Sequence, residues 1–67
     1  GADGLELVRR LVAELPRLLL PGGTALLELG EKQAEVVESL ALRRGLVPRG
    51  RVRDPGGCDR VVTLAAP

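Results

Sequence analysis

The chain has 67 residues, a formal net charge of +1, no aromatic residue, no histidine and one cysteine. These values exclude a disulfide or a zinc-type staple within one chain, and the near-neutral balance argues against a dedicated nucleic-acid binder. With Phe, Tyr, Trp and Met all absent, a core has to come from Leu, Val and Ala, and a domain this small reaches only ~3–5 kcal/mol without staples.

The thin core and the start Gly1-Ala2-Asp3, without an initiator Met, favour a piece of a larger protein over a free-standing domain. No signal peptide, stop-transfer segment or lipidation motif is visible at the ends. A single cysteine fits a reducing compartment.

Asp3 to Leu19 is predicted as an amphipathic helix. Asp3 can cap it, and Glu6 completes a capping box by reaching back to the Asp3 amide. Leu7, Val8, Leu11, Val12, Leu15, Leu18 and Leu19 recur at helical spacing as one apolar stripe. Glu6, Arg9, Arg10, Glu14 and Arg17 lie off it, with Glu6 and Arg10 in the favourable i,i+4 order. Pro16 denies Val12 a hydrogen-bond donor, so a kink or a fresh turn is expected there.

Pro21-Gly22-Gly23 then forms a tight turn, because proline ends the helix and glycine supplies positive φ. Thr24 to Leu29 is apolar apart from Glu28 and does not alternate strictly. Such a run reads as a strand covered on both faces, and it is too short to span a membrane, which takes roughly 20 apolar residues.

A second helix is expected from Glu31 to Arg44, entered at Gly30. Glu31, Glu35 and Glu38 sit early, Arg43 and Arg44 sit late, and Gly45 follows as the C-terminal cap, an order that suits the helix macrodipole. Its buried stripe reads Gln33, Val37, Leu40, Ala41 and Arg44, flanked by Val36. Gln33 is unusual there: either its amide hydrogen-bonds the loop after the strand, or it borders solvent.

Leu46 to Arg53 reads as a strand with Arg49, Arg51 and Arg53 on one face and Pro48, Gly50 and Val52 on the other. Asp54-Pro55-Gly56-Gly57 is a turn, and Arg60 to Ala65 is the returning strand of an antiparallel hairpin. Pro48 and the arginine row suit a sheet edge. An anionic partner such as RNA is the functional alternative for those arginines, disfavoured by the lack of aromatics for stacking. Strand–helix–strand implies a right-handed crossover with the first two strands parallel. The returning strand is expected to run antiparallel and to lie between them.

Few constellations of catalytic chemistry occur. There is no dinucleotide fingerprint, Walker loop or metal-ligand cluster. Cys58 has no histidine to activate it and sits among turn residues, as an exposed inert thiol does. Glu28, near the carboxyl end of the apolar strand, is a candidate site residue, because open α/β sheets bind ligands at that end. A side chain that reaches the sheet rim for a helix amide or solvent is the plainer alternative. From the residues alone, the chain has the frame of an α/β enzyme without its working parts.

Asp3-Gly4-Leu5, Pro21-Gly22-Gly23, Leu27-Glu28-Leu29-Gly30 with Gln33 and Val37, and Asp54 to Gly57 with Asp59-Arg60-Val61-Val62 occur in this order. Together they resemble the C-terminal end of the HemK-type (PrmC) glutamine methyltransferases over essentially the whole chain. The resemblance implies a class I, Rossmann-like sheet whose last three strands place the final, antiparallel one between its predecessors. It implies methyl transfer from S-adenosylmethionine to the side-chain amide of a glutamine in a peptide chain release factor, in the cytoplasm.

Residues 1–67 would then be a C-terminal fragment without the cofactor-binding half. The family's glycine-rich cofactor loop and its Asn-Pro-Pro-Tyr substrate loop have no match here. No catalytic, cofactor-binding or metal-binding residue is therefore assigned, and no cofactor is expected for the segment alone. Gly45-Leu46 stands where the family commonly has Gly-Phe, and Pro55 and Cys58 alter the hairpin turn. Two other readings stand beside the first: a non-catalytic packing or self-association fragment, and a piece of a related RNA or DNA methyltransferase. Expected partners are the release factor for the parent protein and a second copy for the isolated segment, with no membrane and no nucleic acid.

Overall fold

A computed structural model of the protein describes residues 5–30 and 32–67. In chain order these form helix α1 (Glu6–Leu18), strand β1 (Thr24–Glu28), helix α2 (Ala34–Arg43), strand β2 (Val47–Arg53) and strand β3 (Asp59–Ala65). The chain is α/β, with one three-stranded sheet in the order β1-β3-β2. β3 is antiparallel to both neighbours, so β1 and β2 run parallel to each other. The last strand is thus inserted between its predecessors, as the hairpin and crossover reading expects.

Two turns show how local sequence sets this path. The amide of Gly23 donates to the Leu20 carbonyl at 2.7 Å, and Gly22 has φ 77°. Proline at the second position and positive φ at the third make Leu20–Gly23 a type II turn. At the end of α2, Gly45 has φ 79°; its amide donates to Leu42 O at 3.1 Å and that of Leu46 to Ala41 O at 3.0 Å. That pair of bonds is a Schellman cap, and its apolar closure is the contact zone of Leu46 and Ala41, 2% and 0% exposed.

One core cluster joins Val12 and Leu15 of α1, Leu29, Ala34, Val37 and Ala41 around α2, Leu46, and Val62 and Leu64 of β3. Ala25 and Leu27 pair with Leu64 and Val62 and pack against this cluster half-buried. Both helices therefore cover the same sheet face.

Several expectations need correction. β1 is not covered on both faces: Thr24, Leu26 and Glu28 are exposed, and Leu26 keeps 68% of its surface. With both helices on one side, nothing among the described residues lies over the other. The α1 stripe is likewise only half used. Val12 and Leu15 are buried, whereas Leu7, Leu11 and Leu18 are exposed, because α2 and the sheet cover only a strip of the helix.

Pro16 causes no fresh turn; α1 continues through it to Leu18 and closes with Leu19 N–H on Leu15 O at 2.9 Å. Pro16 still forfeits the bond to Val12 O, but only Arg17 and Leu18 follow it before the helix ends. Leu5 is the N-cap residue and makes no side-chain capping bond; Asp3 lies outside the described residues. Helix α2 starts at Ala34 rather than at Glu31, which also lies outside them. Lys32 has φ 61°, a left-handed conformation that no α-helix can include. Its buried positions are Ala34, Val37 and Ala41, while Val36 and Arg44 are exposed and Leu40 is half-buried.

Three consequences can be measured by thermal melting. Replacing the fully buried Leu64 with Ala costs about 2–5 kcal/mol, as much as a domain of this size has, so the cooperative transition disappears. Leu42→Ala, at a position 62% exposed, shifts stability by no more than about 0.5 kcal/mol. Gly45→Ala, which puts a Cβ on a left-handed residue, costs about 1–2 kcal/mol.

Candidate functional site

Because β1 and β2 run parallel, the loop after β1 and the turn after β2 leave the sheet at the same end. The loop after β1 is tied there to the start of β3, which follows that turn, by Leu29 N–H, which donates to Arg60 O at 2.7 Å. Between them lies a cleft of about 460 Å³, lined by Lys32, Ala34, Glu35, Arg51, Gly57, Cys58 and Asp59. This is the carboxyl end of the sheet, the side on which open α/β folds take ligands.

The near wall of the cleft is shaped by Gln33. Its Oε1 accepts the Gly30 N–H at 2.8 Å, which decides between the two roles open to it from sequence. A Cβ on Gly30 would lie 3.1 Å from that oxygen, so the missing side chain lets the amide approach. The bond holds the β1–α2 loop closed just before the helix.

The far wall is held by ion pairs. The Arg51 guanidinium donates to both carboxylate oxygens of Glu38, Nη2 to Oε1 at 2.7 Å and Nε to Oε2 at 3.1 Å. Its third nitrogen, Nη1, donates to Asp59 Oδ2 at 3.0 Å, and Arg53 Nε reaches Asp59 Oδ1 at 3.2 Å. The bidentate fork suits a planar guanidinium, and Glu38 and Asp59 are only about a fifth exposed, 21% and 20%. Hydrogen bonds from Arg51 hold the Glu38 carboxyl below the usual carboxylate range against a desolvation cost. Glu38 and then Asp59 push the Arg51 guanidinium above its ordinary value.

Two register irregularities make this cluster. Pairing slips between Pro48 and Gly50 and again between Val52 and Arg53. The first puts Arg51 opposite Val62 and on the same face as Pro48, which pairs with Leu64. The expected row of three arginines on one face is therefore broken at Arg49. The second slip sets Asp59 opposite Arg53, on the helix side where Glu38 waits.

The hairpin tip has its own clamp. Asp54 accepts Arg60 Nε at 2.8 Å through Oδ2 and the Cys58 amide at 3.0 Å through Oδ1. Arg60 first, and then the Cys58 amide, hold the Asp54 carboxyl below its usual range. Cys58 is half-buried rather than exposed and faces the cleft.

Glu28, the acidic candidate from sequence, does not join this group. It is exposed at the end of β1, on the face away from the helices, opposite Val61, and does not line the cleft. The charges that line the cleft divide into two sets. Arg51 and Asp59 are spent on each other and on their neighbours, while Lys32 and Glu35 form no ion pair with a described residue. Such a rim can hold a polar chain in place, but it offers no base beside a nucleophile. No group of three potential metal ligands occurs among the described residues, and no helix among them is long and apolar enough to cross a membrane.

Sequence reasoning missed the Glu38–Arg51–Asp59 network. Half of it had a signal: a turn closing on Asp54 places Arg53 and Asp59 across from each other. The Glu38–Arg51 half had none, since it depends on how far the register slips.

No protein-family model matches the chain, and no solved structure matches it. Among curated proteins, the release factor glutamine methyltransferase of Geobacter sulfurreducens is 44% identical over 62 residues, 92% of this chain and 22% of the relative. That of Pseudomonas aeruginosa is 43% identical over 61 residues, 91% of this chain and 22% of the relative. That of Cereibacter sphaeroides is 37% identical over all 67 residues and 24% of its own length. The chain thus spans less than a quarter of the curated relatives it matches. By these similarities it is a relative of the release factor glutamine methyltransferases and corresponds to a C-terminal segment of them.

Proposed function

We propose that this chain is the C-terminal part of a cytoplasmic class I methyltransferase that moves a methyl group from S-adenosylmethionine to a release-factor glutamine amide. The observation that carries this reading is identity of 37–44% to release factor glutamine methyltransferases across nine-tenths or more of the chain. The β1-β3-β2 order with an antiparallel last strand supports it, because that order is what the resemblance implies for the end of a Rossmann-like sheet.

The segment's share of the work is structural. The described residues do not fit the cofactor by themselves. The Gly30 amide at the carboxyl end of β1 is taken by Gln33, and no glycine-rich loop follows the strand to cradle a nucleotide-like ligand. In the parent protein the cofactor and the reacting amide are held by upstream segments. The cleft between Lys32, Glu35 and Cys58 forms one wall beside them.

The reading is tested by a chimera in which this segment replaces the corresponding segment of the Geobacter sulfurreducens relative. With labelled S-adenosylmethionine and a release factor, methylation by the chimera should stay within about tenfold of the parent's, a loss of no more than ~1.4 kcal/mol in transition-state stabilisation. The label should vanish when the acceptor glutamine is replaced. A chimera that melts cooperatively and binds cofactor, yet methylates nothing, would overturn the assignment.

Two further outcomes are expected. Calorimetric titration of the 67-residue chain with S-adenosylmethionine shows no saturable heat, and micromolar binding would contradict the division of labour. In the chimera, Arg60→Ala removes the bond to Asp54 and lowers the melting temperature slightly. Turnover stays within about twofold, as for an exposed structural pair; a hundredfold loss at unchanged melting would make Arg60 functional.

A further inference from the structure

Lys32 breaks two local rules at once. Among the described residues it is the one non-glycine with positive φ, at 61°, a conformation that glycine or asparagine takes at lower cost. It also sets a cation two positions before Ala34, the first residue of α2, where the positive end of the helix dipole favours an acid. Neither cost is returned among the described residues. The side chain is exposed and forms no ion pair with any of them. Glu35, three residues on, would be a partner in the unfavourable order, with the cation N-terminal to the anion.

The conformation is imposed by the neighbours. Gln33 turns its side chain back to accept the Gly30 N–H at 2.8 Å instead of capping α2, and the bond spans Lys32. A strained residue persists where its surroundings fix it, and such residues gather at ligand sites. Lys32 lines the cleft from the loop after β1, while Gly57 and Cys58 line it from the hairpin. Both walls come from this chain, so the cleft needs no free border of the sheet. Of the other charges on its lining, Arg51 and Asp59 are bound to each other, which leaves Lys32 as the cation open to a ligand.

We propose that Lys32 receives the carboxylate of an acidic side chain of the protein substrate and so helps to seat the release factor against this cleft. This rests on the methyltransferase reading. The anions of an unmodified protein chain are carboxylates, and a compact ammonium on a flexible stem suits a single one of them. The cleft, at about 460 Å³, is within the usual size of ligand pockets. A residue that opposes both its backbone and its helix, yet lines a cleft, is one kept for binding and not for stability.

The test uses the chimera, in which both walls of the cleft come from this segment. Lys32→Gly removes the charge and relieves the backbone. The melting temperature then stays the same or rises, while KM for the release factor increases about three- to tenfold at unchanged kcat. Lys32→Arg keeps KM within about twofold, and Lys32→Glu raises it further than Lys32→Gly does. Raising salt from about 50 to about 500 mM narrows the gap between the unsubstituted chimera and Lys32→Gly, because screening weakens the attraction. Arg43→Ala removes an equal charge at the other end of α2 and leaves KM unchanged.

An unaltered KM for the release factor in Lys32→Gly would overturn the proposal and leave the methyltransferase reading standing. So would a raised KM for S-adenosylmethionine in its place, or a lowered melting temperature, which would mean that Lys32 pairs within the enzyme. An unsubstituted chimera that folds and binds cofactor but methylates nothing would overturn that reading, and this proposal with it.

Discussion

Everything in this small fold hangs on β3. It is the one strand paired on both sides, and its Val62 and Leu64 are fully buried beneath the helices. β1 and β2 do not touch as neighbours; each is held through β3, by registers that run Thr24 with Ala65 on one side and Val47 with Ala65 on the other. The last residues of the chain therefore have to be in place before the first strand has a partner. That makes the sheet non-local in sequence, and its loop-closure cost is met only when Val62 and Leu64 reach the helix face.

The hairpin that delivers β3 is shaped by charge as much as by apolar burial. Its core-facing side has room for Arg51, whose guanidinium lies between the carboxylates of Glu38 and Asp59 with about a third of the side chain exposed. A charge in that position is tolerable because each of its hydrogen bonds ends on an anion and water still reaches the group. The pairing links α2 to both strands of the hairpin, and the Asp54–Arg60 pair and the Cys58 amide close the tip. The far wall of the cleft is thus fixed by electrostatics, and the near wall by the single bond from Gly30 to Gln33.

The open face of the sheet and the exposed leucines of α1 belong to the same account. A strand with the composition of β1 is suited to burial on both sides, yet the described residues supply cover for one. The edge devices of β2 and their absence in β1 point the same way: one border of the sheet is finished and the other is not. A sheet whose finished border is its last strand pair fits a segment from the end of a larger α/β protein, whose relatives are more than four times as long as the matched stretch.

Local signals in the sequence were enough for the five elements and their order. Pro21-Gly22-Gly23 specifies a type II turn and Gly45 a Schellman cap through backbone conformations that few residues adopt, so both could be read without tertiary knowledge. The parallel crossover and the inserted third strand followed from chirality and hairpin geometry. Only the tertiary structure decided which apolar positions are used, because burial depends on where a neighbour lies and not on periodicity. Leu7, Leu18 and Leu26 satisfy the same patterns as Leu15 and Leu27 but meet no cover among the described residues. The Arg51 cluster was also beyond the sequence: Pro48 and Gly50 mark where a strand can bulge, but a slip of one residue in a β-ladder reverses which face a side chain takes, and its extent is set only when β2 docks on β3.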